Sequence, residues 1–546
     1  MKLLRLKINS SFSSLSDKFD LQFREEYIPT DNNELDWDEF NPFCFVGLNG
    51  SGKSNVLEAL ANIFYHIEGC ANVNLPDNFT ENFFPEISNP NAYELSYYIK
   101  PKSSADYNVQ NMVLVFIEKN ISEQPKMYYQ LYPFTEERIP ITIVAEKNSS
   151  IPAPGKIYLP DLIIGYSSGE NETLSIPFLK SRLLQYDEYI DALLNKKKYD
   201  EPESNLLYID YEMSQAVLLC NFLFQEEDVL KPLEIELGIK KIKSFRMNIN
   251  LHDEGGYKIS EQLGDILNSF KNCATSYYED EEVIILDFWI DTTTKLAFAK
   301  NFDNNIFKLF RAFQILYTLN YRTVRKSTKS DVYLSKGYYT YGKIPSPAPS
   351  EKVFYFLDYY IEKIVEDNMT KKLLLKQLSD GEQQFLHTMG ICLMLKNKSA
   401  ILLLDEPETH FNPDWRSKFI SILKESLKIS ESNNIMKDIM ITSHSPFIIS
   451  DCYPNKVILF EKKKLPQKAS DLNIETLGNS VNIITSQIFK RKNTIGQNSL
   501  NKIATYRKRF NAGEDAEKIK EELNNELGDS LEKLLLIKEM SISKNK

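Results

Sequence analysis

Four short motifs in a fixed order constrain this chain more than its composition does. Gly47-Leu48-Asn49-Gly50-Ser51-Gly52-Lys53-Ser54 comes first, and Leu378-Ser379-Asp380-Gly381-Glu382 follows more than three hundred residues later. Ile401-Leu402-Leu403-Leu404-Asp405-Glu406-Pro407 and then Thr442-Ser443-His444 complete the set. The first fits G-x-x-x-x-G-K-[ST] at every fixed position. Phe43 to Val46 reads as a short buried strand before it, and Val56, Leu57, Leu60, Ile63 and Phe64 recur at helical spacing after it. Strand, glycine turn and helix make a phosphate cradle. Backbone N–H groups turn inward around the oxygens, and the helix adds its positive end. Gly47, Asn49, Gly50, Ser51, Gly52 and Asn55 are the expected lining, Lys53 the cation at the β- and γ-phosphates, and Ser54 a ligand of Mg²⁺.

Asp405 ends an apolar run, Ala400 to Leu404, that reads as a buried strand. A carboxylate there sits at the edge of an α/β sheet where ligands bind. Asp405 is the expected Mg²⁺ partner and Glu406 the expected general base for an attacking water. Alone, two adjacent acids would read as a solvated strand end. Ser379 opens an apolar-periodic helix carrying Phe385, Leu386, Met389, Leu393 and Met394, with Ser379 as its N-cap and Gly381 permitting close backbone approach. A lone Ser-Asp-Gly-Glu would be only a capped helix start, but this one stands 26 residues before Asp405, room for one helix and a turn. His444 ends another apolar strand, Ile439 to Ile441. It is either a switch contacting the γ-phosphate or a strand-end histidine facing water, and Ser443 with Ser445-Pro446 favours the switch.

With these residues the chain resembles ABC-type ATPase heads of the SMC, RecF and OLD group. Met1 to Ile8 looks like their opening strand, and Asp405 to Arg416 is similar to the bacterial defence branch. Within that branch it most resembles the ATPase subunits of Septu anti-phage systems (the PtuA family), in the longer form that accompanies retrons. Gly52 to Ala61, Phe64 to Glu68 and Tyr166 to Glu172 carry that likeness. The resemblance implies an α/β fold: an ABC-type P-loop ATPase head, a two-lobed sheet flanked by helices, with a mixed, largely helical insertion and a helical C-terminal tail. It implies ATP and Mg²⁺ as cofactors. It also implies a head-to-head homodimer or higher even oligomer, in which Ser379, Gly381 and Glu382 act on the partner's ATP while Lys53, Ser54, Asp405, Glu406 and His444 act in cis. A small HNH nuclease (PtuB-like) is the implied partner. In the retron form, a reverse transcriptase with its RNA–DNA product would hold the complex inactive.

The expected units are 1–180 (first lobe), 181–365 (insertion), 366–465 (second lobe, completing the same sheet) and 466–546 (tail). In the insertion, Phe178 to Leu194 reads helical and Val283 to Leu286 reads as a strand. Ile344 to Ser350, with three prolines, is a stiff boundary loop, and Val353 to Val365 reads as a helix leading to the signature. No long heptads occur, so this is not an extended coiled coil. Arg322, Arg325, Lys326, Lys329, Lys336 and Lys343 interleave with Tyr333, Tyr338, Tyr339 and Tyr341. Such a segment either meets nucleic acid or is a solvated basic loop whose tyrosines pack on the head. Lys490 to Lys492 and Arg507 to Arg509 form a second basic cluster. Ser167-Ser168-Gly169-Glu170 is either a nucleotide-adjacent loop or a capped helix start. In the tail, Ile519, Leu523, Leu527, Leu531 and Leu534 make one apolar stripe that docks on its own head or on another subunit.

Net charge is −11, which argues against broad nucleic-acid coating. The N-terminus reads as a strand without a small-residue cleavage site, apolar runs are too short to span a bilayer, and six cysteines show no C-x-x-C spacing. These point to a cytoplasmic protein without a membrane. None of the five histidines, His66, His252, His387, His410 and His444, stands in an HNH arrangement, and no acidic set of TOPRIM kind follows His444. ATP hydrolysis is therefore the one chemistry expected of the chain itself. The rival readings are a RecF-like DNA-repair ATPase and a self-contained ATPase–ribonuclease toxin.

Overall fold

The computed structural model describes the chain except residues 17, 28–40, 103–110, 136, 147–148, 170–171, 196–201, 252–262, 336–343, 345–346, 366–368, 396–397, 429–435, 492, 494 and 544–546. Numbered along the chain, the strands form three sheets. Six make an antiparallel sheet: β1 (Lys2–Ile8), β2 (Phe19–Gln22), β4 (Tyr93–Ile99), β5 (Val113–Lys119), β6 (Lys126–Leu131) and β7 (Ile139–Ile141), in the order β2-β1-β4-β5-β6-β7. Seven make the head sheet: β3 (Phe43–Gly47), β8 (Leu162–Ser167), β9 (Leu206–Tyr208), β15 (Ala400–Asp405), β16 (Lys437–Thr442), β17 (Val457–Phe460) and β18 (Gln467–Lys468). Their order is β18-β17-β3-β16-β15-β8-β9, parallel throughout except at the β17–β18 edge. Five make an antiparallel insertion sheet: β10 (Ile239–Asn250), β11 (Ser276–Glu279), β12 (Val283–Trp289), β13 (Phe354–Ile364) and β14 (Thr370–Leu374), in the order β11-β12-β10-β13-β14.

The parallel strands are continuous apolar runs because both faces of their sheet are covered. Every residue of β3 and of β15 is buried. Alternation then divides the core in two. Phe43, Phe45, Ile401 and Leu403 face the helix Lys53–Ala71 and the antiparallel sheet. Cys44, Val46, Leu402 and Leu404 face the helices Asp380–Met394 and Tyr211–Phe224 and the insertion. Those two helices approach closely at Gly390, whose carbonyl accepts from Asn221 Nδ2 at 2.8 Å and where a Cβ would stand 3.3 Å from Val217.

The expected units interlock more than the sequence suggests. The boundary placed at 180 falls inside one helix, Glu172–Leu194, and β9, from the expected insertion, extends the head sheet. Conversely β14, beyond residue 365, pairs with β13 of the insertion sheet, and β18 lies just past 465. Val353 to Val365 is not a helix. It is β13, which pairs with β10 from Ile239↔Lys363 to Ile249↔Phe354. Its run of aromatic residues suits a pleated, half-buried surface, and a kink at Asp358 (φ 47°) obscures the alternation in sequence.

The last part of the tail packs the helices Gln497–Asn511, Ala516–Glu526 and Leu531–Ser543 around Ile503, Tyr506, Ile519, Leu523, Leu536 and Met540. The expected stripe holds for Ile519 and Leu523, but Leu531 and Leu534 are each 58% exposed. The helix breaks after Glu526, next to Gly528, and the next helix restarts in a different phase. Among the described residues no helix is long and apolar enough to cross a membrane.

One buried ion pair fastens the antiparallel sheet to the head sheet. Arg24 Nη1 and Nη2 donate to Asp438 Oδ2 and Oδ1 at 2.7 and 2.8 Å, and the Leu3 backbone N–H donates to Oδ2 at 2.8 Å. Burial alone would raise the Asp438 pKa, but Arg24, Lys2 and the Leu3 N–H together outweigh it and the net shift is downward. Removing one partner of such a pair strands the other charge. Asp438→Asn should therefore destabilise the protein by about 3–5 kcal/mol. The double change Asp438→Asn with Arg24→Met should recover part of that loss, as read by urea unfolding of the three proteins.

Candidate functional site

Strand order assembles the site. β16 lies between β3 and β15, so the ends carrying the phosphate loop, Thr442-Ser443-His444 and Asp405-Glu406 stand side by side. The loop depends on glycine at two places. Gly47 has φ +148°, and a Cβ there would meet the Phe460 carbonyl oxygen at 2.3 Å. Gly52, at φ +103°, caps the following helix from the left-handed region. Leu48, Asn49 and Gly50 are exposed at the loop tip. Asn55 accepts from the Ser14 backbone N–H at 3.3 Å and donates to Glu58 at 2.7 Å, which ties the β1–β2 connection to the loop.

Lys53 is buried, and its Nζ donates to the Gly47 and Leu48 carbonyls at 3.2 and 3.3 Å. Burial lowers its pKa, opposed by Glu406 and Asp405. Ser54 Oγ donates to Asp405 Oδ1 at 2.7 Å, and Thr442 Oγ1 donates to the same oxygen at 2.6 Å. The Glu406 N–H is shared between Thr442 Oγ1 at 3.0 Å and the Thr442 carbonyl at 3.2 Å. Glu406 itself takes a left-handed conformation, φ 48°, which is uncommon for a residue with a side chain. Its Oε1 lies 3.3 Å from His444 Nε2, and this contact, above all, holds its carboxyl below the usual range. Lys53, Ser54, Asp405, Glu406 and His444 thus converge as the sequence suggests.

The signature residues stand apart from that cluster. Ser379 and Glu382 form a capping box: Ser379 N–H donates to Glu382 Oε2 at 2.8 Å, and Glu382 N–H to Ser379 Oγ at 3.4 Å. Lys363 of β13 pairs with Glu382. A Cβ on Gly381 would stand 2.9 Å from the His410 carbonyl, so the turn packs against the segment after Asp405. Gln384 secures that contact by accepting the His410 N–H at 2.9 Å.

Sequence reasoning missed Thr442 and Glu408 as site residues. Thr442 lies within a quoted motif at the end of β16, and its hydroxyl-bearing side chain at a strand terminus was the available signal. Glu408 is buried, with Ser443 Oγ donating to its Oε1, while Ser443 Oγ accepts from the Ser445 N–H at 2.9 Å. It therefore joins the turn after β15 to the turn carrying His444. Ser167-Ser168-Gly169 lies beside the site and also leads into the helix from Glu172, so both of its readings stay open. The Ser168 N–H donates to the Asp405 carbonyl at 3.1 Å and Ser168 Oγ to Thr409 Oγ1 at 3.0 Å. Glu170 lies outside the described residues.

The other histidines and basic clusters do different work. His66 contacts the Tyr93 hydroxyl at 3.2 Å and the Pro85 carbonyl at 3.0 Å, a packed core histidine. His252 lies outside the described residues, as do Lys336, Tyr338, Tyr339, Tyr341, Lys343 and Lys492. Lys329 is buried against Asp187, and Tyr333 is buried with its hydroxyl 3.1 Å from the same carboxylate. Those two pack on the head. Lys490, Arg507 and Arg509 pair with Glu461, Glu539 and Glu514. The six cysteines are buried and free, and among the described residues no group of three or more His, Cys, Asp or Glu could hold a metal.

The donor set fits a magnesium nucleotide. Ser54 and Asp405 bring two hard oxygens together, and Mg²⁺ prefers oxygen ligands from one or two side chains plus phosphate. Ser51 Oγ is buried at the loop without a hydrogen-bond partner, a group that a phosphate oxygen would satisfy. The fold is that of an ABC-type P-loop ATPase head.

Comparison with known proteins gives one partial family match, one partial relative and several distant structures. Residues 260–450, which include the signature, Asp405, Glu406 and His444, match the family model described as "AAA domain, putative AbiEii toxin, Type IV TA system". The chain is 25% identical to Protein ea59 of Escherichia phage lambda over 127 residues, 23% of each chain, so it spans about a quarter of the length of that curated relative. It is similar to an SMC head bound to the C-winged helix domain of ScpA (10% identity, TM-score 0.31, covering 86% of this chain and 97% of that one). It is also similar to the SMC head domain from Thermotoga maritima (11% identity, TM-score 0.30, 86% and 99%). The family match covers about a third of the chain, and the fold rests on the chain's own motifs and strand order.

Glu408 gives the site a pH dependence. Burial pushes its carboxyl from an ordinary 4.5 up to about 7, although the Ser443 hydroxyl favours the ionised form. The folded protein thus holds this proton more tightly than the unfolded one. The associated stability is present below about 4.5 and is lost as pH rises toward 7. Glu408→Gln keeps the acceptor for Ser443 and removes the charge. Relative to the wild type it should gain stability as pH is raised from 5 to 8, measured by urea unfolding at each pH. A constant difference across that range would remove Glu408 as the titrating group.

Proposed function

We propose that this chain is the ATP-binding and hydrolysing subunit of a bacterial anti-phage defence complex of Septu or retron type, in which it scaffolds or restrains a separate HNH nuclease. The observation that carries the ATPase part is the convergence of Ser54, Thr442, Glu406 and His444 around the Asp405 carboxylate. In this reading Lys53 exchanges its loop carbonyls for the β- and γ-phosphates. Ser54 and Asp405 hold Mg²⁺, which supplies charge neutralisation at the phosphates. Glu406 orients and deprotonates the attacking water, and His444 fixes the Glu406 carboxylate and reaches toward the γ-phosphate. Ser379 and Gly381 head an exposed, capped helix N-terminus, suited to meeting a nucleotide on a second copy. The defence role is supported by the resemblance of Asp405 to Arg416, Gly52 to Ala61 and Tyr166 to Gly169 to that branch, together with the phage relative.

One observation favours a second reading. The matched family is described as a putative toxin, which fits a self-contained toxin whose head drives its own activity. Purified alone, this chain should cut neither DNA nor RNA with ATP and divalent metal, and should do so only with an added nuclease subunit. Robust cleavage by the lone protein would promote the toxin reading.

Glu406→Gln should bind ATP and lose roughly 10²–10⁴-fold in hydrolysis, the range for a general base. Lys53→Ala should lose tight ATP binding. Ser379→Arg should bind ATP but fail to pair. Mixing Ser379→Arg with Lys53→Ala, each inactive alone, creates one intact composite site per mixed dimer. Restored hydrolysis or ATP-dependent crosslinking is the expected result, and absence of both in every mixture would defeat the two-copy site.

A further inference from the structure

Two groups meet the His444 ring. Its Nε2 lies 3.3 Å from Glu406 Oε1, and the Phe489 ring stands 6.2 Å away between centroids, tilted 31° from it. Among the described residues no other ion pair, side-chain hydrogen bond or ring contact reaches this side chain, which is 34% exposed. The Glu406 contact fixes one atom of the imidazole. It does not fix the plane, because the outer torsion of a histidine is broad. A second contact is needed to hold the ring, and Phe489 is the one present.

Phe489 reaches the site from the C-terminal side of the head. The helix Pro446–Ser450 follows His444 directly, and the helix Val481–Gln487 packs against it. The Thr476 hydroxyl donates to the Cys452 carbonyl at 2.6 Å, and the Gly478 N–H donates to the Ser450 carbonyl at 2.8 Å. These bonds tie the approach to the second helix onto the end of the first. Ile484 and Ile488 are buried in the head core, and Phe489 is partly buried against it. Lys490 then turns left-handed, φ 55°, and its Nζ pairs with Glu461 at 2.5 Å. Glu461 follows directly on β17, whose last residue, Phe460, pairs with Gly47 of the phosphate loop. Phe489 is thus pinned on one side by Ile488 in the core and on the other by Lys490 at the strand end beside the loop. The chain then leaves for the helices of the tail, which begin at Gln497.

We propose that Phe489 is a positioning residue for hydrolysis: its ring holds the plane of His444 and, through it, the Glu406 carboxylate that acts on the attacking water. This role presupposes the ATPase reading above. It brings the segment that links head to tail into a site otherwise built from the ends of β3, β15 and β16. Phe489 lies beyond residues 260–450, the span of the family match. A side chain that only covered the core could be replaced by another apolar group of similar bulk. One that orients an imidazole needs a flat ring, since aromatic pairs favour particular ring arrangements.

The test compares full-length wild type with Phe489→Leu, Phe489→Tyr and Phe489→Ala by steady-state ATP hydrolysis and by ADP titration. Leucine keeps apolar bulk without a ring; tyrosine keeps the ring. The kcat of Phe489→Leu and of Phe489→Ala should fall by about three- to tenfold, the range that aromatic pairs supply. Phe489→Tyr should match the wild type. Affinity for ADP, which lacks the γ-phosphate, should be the same in all four proteins. Phe489 loses this role if Leu restores kcat as well as Tyr does, if Phe489→Ala hydrolyses like the wild type, or if ADP affinity drops in step with kcat. Should Phe489→Ala fail to fold, the comparison of Leu with Tyr still decides. A wild type that hydrolyses no ATP, or no faster than Lys53→Ala, defeats the ATPase reading and this role with it. With an active wild type, failure belongs to Phe489 alone.

Discussion

The Asp405 carboxylate is the constraint on which the head depends. One of its oxygens accepts from Ser54, on the helix after β3, and from Thr442, at the end of β16. Three strands of the parallel sheet are thereby locked in register at their ligand-bearing ends. The Glu406 N–H, shared by the Thr442 hydroxyl and carbonyl, extends the lock by one residue. A buried carboxylate is tolerable only where hydrogen bonds replace water. Here the donors that stabilise Asp405 are also groups that a magnesium nucleotide would redistribute, since the Ser54 hydroxyl serves either Asp405 or a metal. The same interaction therefore holds the sheet together and makes its edge responsive.

Around this point the structure stores a small amount of backbone strain. Glu406 sits at φ 48°, and such conformations persist where surrounding contacts over-determine them. His444 on one side and Thr442 on the other provide those contacts. Glu408 adds a third by receiving the Ser443 hydroxyl, so the turn after β15 and the turn after β16 are held as one body. A rigid pair of turns would let Glu406 and His444 keep their relation while Lys53, held by the Gly47 and Leu48 carbonyls, exchanges them for a ligand.

What was legible in the sequence was whatever depended on local pattern. The strand–loop–helix at Phe43 to Ala71, the capped helix at Ser379 and the strands ending at Asp405 and Thr442 all follow from apolar runs, glycine and capping residues within about twenty positions. What was not legible depended on pairing between distant segments. β13 reads as a helix in sequence because its partner β10 lies more than a hundred residues earlier and its kink at Asp358 spoils the alternation. The tail stripe failed at Leu531 because a break resets helical phase without altering the spacing of leucines. Thr442 and Glu408 were invisible as site residues for a related reason: their roles appear only when two strand ends meet.

The signature helix extends the same logic beyond one nucleotide. Its first turn is held by a capping box and by Lys363 from the insertion sheet, and its second by Gln384, which grips the His410 N–H. Gly381 presses against the His410 carbonyl, so this helix cannot move independently of the segment that starts at Asp405. Meanwhile Lys363 belongs to β13, paired with β10 deep in the insertion. A displacement at the nucleotide therefore has a continuous, packed route through His410 and Glu382 to the insertion sheet, and a ligand or partner bound at the insertion has the same route back. Linkage makes that influence reciprocal in binding energy. A head with a woven-in insertion, unlike one with a loosely tethered domain, joins the insertion sheet to the nucleotide edge through the same few hydrogen bonds.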